Sequence, residues 1–353
     1  MPMSPRCRFP VFLLAIFLLI AGVAAVRAQE QGADCYRTLF QAQAVGHEPV
    51  NAYLLMLANY YSYENRINAA GSADFQKRFR EKFAPWGFDE FDFLDVRMKT
   101  ADTQVMIMSN DQATIVVFRG SETGSTGGNG LRPAKAIYDW ILTDFNFFPR
   151  KVKEWGSGVK VHRGFFNAWA VVSRSLCELC TRHLAKPGRK LWITGHSLGA
   201  GVAPMAAMGL AAAGLPVQGV YTYAGPRIGN QAFVDATLGR LPFLQRWVND
   251  HDLVTMVPFT WMGFRHLGMP NNLYENGTVA LQDQPFTGLG KVAPHSPGLY
   301  LQRLFDSLPL EVRDQLPAPP SFRGADPGDA ELEQAFARKL AARRNRQETL
   351  EED

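Results

Sequence analysis

The stretch "KLWITGHSLGAGVA" (residues 190–203) decides the fold. "LWIT" reads as a strand, and "LGAGVAPMAAMGLAAAG" after it reads as a helix of small residues. Between them, Gly195-His196-Ser197-Leu198-Gly199 fits G-x-S-x-G. A sharp strand-to-helix turn of this kind holds its serine in a strained backbone and lifts the hydroxyl above the sheet. Side chains at the glycine positions would collide with neighbouring backbone. The helix that follows aims its free N–H groups and positive dipole end at the same spot. That is where negative charge would develop if the hydroxyl attacked a carbonyl. The strand before and the helix after set this pentapeptide apart from a chance match.

Outward from the elbow, strands and helices alternate. "VKVH" precedes a helix running through Trp169 and Leu179, and "GVYTYAG" and "FLQRWVND" follow the small-residue helix. This order predicts a mostly parallel sheet covered on both faces. Upstream, "NAYLLMLANYYSYENRI" has apolar helical spacing, and "SADFQKRFREKF" predicts a second helix capped by Ser72. "TQVMIMS" and "ATIVVFRG" read as strands joined at Asn110-Asp111. The loop "GSETGSTGGNG" lacks the Gly-Lys-Ser/Thr ending of a phosphate loop. "LYENGTVAL" reads as a hairpin around Asn276-Gly277, a reading preferred to a glycosylation acceptor.

A serine hydroxyl needs a base, and the base an orienting carboxylate, in the chain order Ser, Asp or Glu, His. Asp250 and Asp252 both follow the strand "FLQRWVND". Among the seven histidines, His47, His162, His183 and His196 precede or adjoin the serine. His251 sits between the two aspartates. Of His266 and His295, the latter lies in a late loop before a helix-like run, the position a base should occupy. A second oxyanion donor fits the turn Arg119-Gly120-Ser121, which is equally a plain turn.

The chain has 353 residues, 46% hydrophobic and 20% charged, a length that suits one large domain or two small ones and allows a sizeable core. Arg6 and Arg8 precede the apolar run "VFLLAIFLLIAGVAAV", and Val26-Arg27-Ala28 resembles a cleavage site. Residues 1–28 therefore read as a signal peptide, with an uncleaved membrane anchor as the alternative; the run is shorter than a spanning helix needs. The expected location is secreted or periplasmic. Residues 1–28 carry three arginines and no acid, so the formal charge falls from +4 to +1 without them. That balance asks for neither nucleic acid nor an acidic surface as partner. Cys35, Cys177 and Cys180 remain, and the Cys177/Cys180 pair reads as core packing of a helix. Residues 29–308 read as the folded domain, and 309–353 as a proline-rich linker ("LPAPP") and a charged, solvated tail.

Several segments together resemble the class 3 lipases, fungal-type enzymes of the α/β-hydrolase fold: "IVVFRGS", "DWILTDFNFFP", "VKVHRGFFNAW", "ITGHSLGAGVA", "YAGPRIGN", "VNDHDLVTMVP" and "GFRHLG", in family order. The resemblance implies that Asp252 is the catalytic aspartate, that His266 is structural, and that His295, followed by Tyr300, is the base. It also implies that Ser121 and Leu198 form the oxyanion hole. Thr255 stands where the family usually has proline. "IYDWILTDFNFFP" places Ile137, Trp140, Ile141 and Phe148 near one helical face after a glycine-rich hinge, which reads as a lid, with Trp140 and Ile141 toward substrate.

The sequence thus predicts an α/β-hydrolase with a central, mostly parallel sheet flanked by helices. The expected function is that of a secreted serine ester hydrolase cleaving acylglycerols through Ser197, Asp252 and His295. No cofactor or metal is expected, and peripheral contact with a lipid surface is. The alternatives are a phospholipase A1, a short-acyl or feruloyl esterase on the same scaffold, or a silent binding protein.

Overall fold

A computed structural model of the chain describes residues 33–63, 72–98, 101–120, 148–281, 290–291, 293–320 and 338. The signal segment, the glycine-rich loop with Ser121, the lid residues Ile137, Trp140 and Ile141, and the charged tail beyond residue 320, apart from Arg338, lie outside the described residues. In chain order the elements are α1 (Cys35–Thr38), α2 (Pro49–Ser62), α3 (Ala73–Phe83), β1 (Glu90–Met98), β2 (Ala101–Ser109), β3 (Ala113–Phe118), β4 (Pro149–Lys151) and β5 (Lys160–His162). Then come α4 (Arg163–Ala170), α5 (Ser173–His183), β6 (Lys190–His196), α6 (Leu198–Ala212), β7 (Val217–Tyr223) and α7 (Gln231–Arg240). The last are β8 (Leu244–Asn249), β9 (Pro270–Leu273), β10 (Val279–Leu281), α8 (Pro297–Asp306) and α9 (Leu310–Arg313).

The central sheet has eight strands in the order β1-β2-β3-β6-β7-β8-β9-β10. β3, β6, β7, β8 and β9 run parallel, while β1, β2 and β10 pair antiparallel with their neighbours. Strand alternation sorts the core into two layers. Val105, Ile107, Val116, Phe118, Leu191 and Ile193 face the layer made by α4, α5, α6 and α7. Met106, Met108, Ile115, Val117 and Trp192 face α1, α2, α3 and α8. With apolar layers on both sides, the central strands read as continuous hydrophobic runs.

Local chemistry explains the boundaries. Ser72 caps α3 by accepting from Phe75 N–H at 3.2 Å. Asn110 Oδ1 accepts from Gln112 and Ala113 N–H, both at 2.9 Å, and closes the β2–β3 turn. Asn276 Oδ1 accepts from Thr278 N–H at 3.1 Å in the β9–β10 hairpin, and Gly277 next to it has φ 79°.

Four expectations are corrected. "VKVH" does not join the main sheet; β5 pairs with β4 in a separate two-stranded ribbon. The helix after it is two helices, broken at the β-branched pair Val171-Val172, where Ser173 Oγ donates to Ala170 O at 2.9 Å and competes with the helical bond. Phe148 stands exposed immediately before β4 and is on no helix. The segment assigned to a linker from residue 309 is packed as far as Leu316 and Pro317: Leu316 is fully buried, and Tyr53 Oη donates to Pro317 O. Strand β1, "EFDFLDVRM", was not anticipated at all. Cys35, Cys177 and Cys180 are free thiols; Cys35 and Cys180 are buried and Cys177 half-buried. Among the described residues, no helix is long and apolar enough to cross a membrane.

Candidate active site

The elbow forms where β6 ends and α6 begins. Ser197 has φ 60° and ψ −123°, a strained conformation for a residue with a side chain. Both flanking glycines are needed for space. A Cβ at Gly195 would lie 2.2 Å from Gly199 O, and one at Gly199 would lie 2.1 Å from Phe118 O. The end of β3 is thus pressed against the first turn of α6. Ser197 N–H donates to Tyr223 O on β7 at 3.0 Å, which fixes the elbow across the sheet.

Asp252 follows β8 and is buried. Its Oδ1 accepts from Val254 N–H at 2.9 Å, and its Oδ2 from Tyr300 Oη at 2.8 Å. Tyr300, in the first turn of α8, accepts from Asn249 N–H at 2.8 Å. Burial, and secondarily the nearby Asp252 charge, push the Tyr300 hydroxyl well above its ordinary pKa, so it stays a donor. The buried carboxylate oxygens are therefore met by hydrogen-bond donors rather than by water.

His295 sits in a single turn of 3₁₀ helix, Ala293–His295, just before α8. Its Nδ1 lies 3.0 Å from Asp252 Oδ1 and 3.1 Å from Oδ2, and its Nε2 lies 2.8 Å from Ser197 Oγ. A carboxylate only accepts, so Nδ1 carries the proton and Nε2 accepts from the serine hydroxyl. The segment leading to this histidine is bonded to the aspartate loop. Leu253 N–H donates to Lys291 O at 3.0 Å, Lys291 N–H donates to His251 O at 2.7 Å, and Asn249 Nδ2 donates to Pro294 O at 2.9 Å.

His196, inside the elbow, does not face the serine. Its Nε2 donates to His295 O at 3.1 Å, and its Nδ1 lies 2.9 Å from Tyr63 Oη. Burial, then the electrostatic cost of a second positive ring beside His295, drive its pKa well below 6.5, so the ring is neutral. With Nε2 protonated, Nδ1 accepts from the tyrosine. Tyr63, at the end of α2, also sets the approach of the β3 turn: a Cβ at Gly120 would lie 1.9 Å from Tyr63 Oη and 2.7 Å from His196 O. The chain therefore runs against the elbow immediately before Ser121, which lies outside the described residues. Leu198 is the first residue of α6, where an N–H has no acceptor within its own helix.

The competing residues lie elsewhere. His266 is half-buried and donates from Nε2 to Thr255 O at 2.7 Å; burial, followed by Arg246 and Arg227, pushes its pKa well below the ordinary value. Asp250 pairs with His251 at the surface. Thr255 Oγ1 donates to Asp252 O at 2.8 Å, a bond proline could not make. The roles of Tyr300, Asn249 and Tyr63 were not read from the sequence. Each donates or accepts across a long sequence separation that no local spacing encodes. Only the position of Tyr300 after His295 hinted at one of them.

A family model described as "Lipase (class 3)" matches residues 129–262. Secreted mono- and diacylglycerol lipase 1 of Fusarium solani is 35% identical over 38% of this chain and 40% of its own length. A lipase of Rhizomucor miehei is 31% identical over 51% of this chain and 48% of its own length. The chain thus spans under half the length of these relatives. The solved structure of Rhizomucor miehei triacylglyceride lipase superposes with a TM-score of 0.53 at 23% identity, covering 71% of this chain and 96% of that one, a likeness of fold.

Proposed function

We propose that the chain is a class 3 lipase, a secreted serine ester hydrolase that cleaves acylglycerols at a lipid–water interface, a reading supported by the family match and the lipase relatives. The observation that carries the reading is the unbroken line Ser197 Oγ, His295 Nε2, His295 Nδ1, Asp252, with contacts of 2.8 to 3.1 Å. Ser197 Oγ attacks the ester carbonyl carbon as its proton passes to His295 Nε2. The N–H groups of Leu198 and Ser121 receive the oxyanion. His295 then protonates the leaving glycerol oxygen, and an acyl-enzyme remains. Water, deprotonated by the same nitrogen, attacks the acyl carbon and releases the fatty acid. Asp252 stays ionised and holds the imidazolium. The basic-apolar segment 1–28 and the secreted relatives support export. The acylglycerol substrate is supported by the lipase relatives, and a lid carrying Trp140 and Ile141 by the sequence alone.

The test combines labelling with a substrate series. A fluorophosphonate probe should modify Ser197 and nothing in Ser197→Ala. Acylglycerols of increasing chain length should be hydrolysed faster once they exceed their solubility. Equal rates on soluble short esters, with no rise in emulsion, would assign the protein to the esterase alternative. An unlabelled chain would remove the hydrolase reading altogether.

A further inference from the structure

A modest formal charge, +4 over the chain and +1 without residues 1–28, hides an uneven surface. Residues 148–163 hold five cations, Arg150, Lys151, Lys153, Lys160 and Arg163, against one acid, Glu154. This segment is the β4–β5 ribbon, and all five cations are exposed. Lys151 and Lys160 stand directly opposite each other in its register, on the same face. Like charges at that position destabilise a two-stranded ribbon. Among the described residues, none of the five forms an ion pair. The two arginines lie over rings, Arg150 4.3 Å from the centroid of Phe166 and Arg163 5.6 Å from that of Phe148.

The ribbon is rigidly mounted despite this repulsion. Val152, Trp155, Val159 and Val161 are buried in the main core. Asn230 accepts from Lys160 N–H at 3.0 Å and donates to Gly158 O at 2.9 Å, which pins the turn. The ribbon leads directly into α4, and Phe165 of that helix touches Gly201, in the first turns of the nucleophile helix. The ribbon is therefore continuous with a helix that packs on the nucleophile helix. Phe148, 60% exposed, flanks them.

We propose that the β4–β5 ribbon is a docking face for anionic phospholipid, with Lys151 and Lys160 contacting headgroup phosphates and Phe148 entering the interface beside them. The exposed ring is what favours a lipid surface over a nucleic acid, whose backbone offers no apolar layer. The inference adds a lipid preference to the hydrolase reading but is tested without catalysis.

The full chain carrying Ser197→Ala, which leaves vesicles intact, is sedimented with vesicles of phosphatidylcholine alone or mixed with phosphatidylglycerol. Binding should favour the phosphatidylglycerol vesicles and weaken as salt rises. Lys151→Gln with Lys160→Gln should lower that binding about 25-fold, since each cation near such a surface contributes a factor of about five. Lys151→Arg with Lys160→Arg should retain it, which separates lost charge from lost folding. Hydrolysis of a soluble ester by the two double variants with Ser197 intact should stay unchanged. Equal sedimentation with both vesicle types, or a glutamine variant that binds like the parent, would overturn the proposal. So would duplex DNA bound as tightly as phosphatidylglycerol, which would make the ribbon an indiscriminate polyanion face. Vesicle binding by a chain whose Ser197 parent hydrolyses no ester would leave the docking face standing and remove the hydrolase reading.

Discussion

At the residue scale the decisive contrast is between two late histidines. His295 lies 2.8 Å from Ser197 Oγ, whereas His266 spends its Nε2 proton on a backbone carbonyl. His295→Ala is therefore expected to lower kcat about 10⁴-fold or more, Asp252→Asn about 10⁴-fold, and His266→Ala to leave kcat within severalfold, as steady-state ester hydrolysis will show. Equal losses in the two histidine variants would refute the assignment. The nucleophile was legible because an elbow is local: five consecutive residues encode it. The aspartate and histidine were legible only as positions along a chain order. Tyr300 was legible as a neighbour of His295 but not as a donor to Asp252, because that bond depends on how α8 packs beside β8.

At the element scale, backbones meet where glycine leaves room. Gly199→Ala would bring a methyl to 2.1 Å of Phe118 O, a main-chain atom that cannot swing aside. This variant should lose both thermal stability and probe labelling of Ser197, whereas Gly239→Ala, with nothing within 4 Å of the added carbon, should lose neither. The start of α4 makes a second prediction. His162 Nδ1 caps the helix by accepting from Phe165 N–H at 3.4 Å, and burial lowers its pKa from 6.5 to about 4. An acceptor nitrogen cannot be protonated without losing the cap. Between those two values the unfolded chain binds the proton and the folded chain does not, so unfolding is favoured as pH falls. The full cost is about 3 kcal/mol. Denaturant titrations from pH 7 to about pH 4 should show stability falling more steeply in the parent than in His162→Asn, which keeps a capping acceptor without titrating. Identical pH slopes would rule out His162 as a source. Elements with apolar helical spacing or an unbroken apolar run between clear boundaries were foreseen, among them α2, α3, β6 and α6. β1 was not, although its aromatic residues alternate with acids as in a half-buried strand, because Asp and Glu are uncommon in strands and tolerated here at a sheet edge.

At the scale of the whole molecule, the sheet is a partition between two cores, and the chain after α8 closes one of them. Leu316 is fully buried against that layer. Leu316→Ala should lower stability by about 2–5 kcal/mol in denaturant unfolding, far more than a change in a solvated linker could. A cost below about 0.5 kcal/mol would mean that this segment does not pack there. Proline spacing suggested a linker because it breaks helices, and it says nothing of whether an extended segment is buried. The ribbon at 148–163 carries the same lesson in charge, since a total of +4 over the chain cannot show that four of those charges stand together on one hairpin. By itself, then, the sequence determined what is local or ordered along the chain: the elbow, the alternation that makes a mostly parallel sheet, and the order serine, aspartate, histidine. The tertiary structure alone decided what depends on distance through space: which donors surround the buried carboxylate, what His196 and Tyr63 hold together behind the elbow, and where the core ends. Backbone propensity and side-chain period act over a few residues, whereas a hydrogen bond joining positions 98 apart exists only after the sheet has brought them within 2.8 Å.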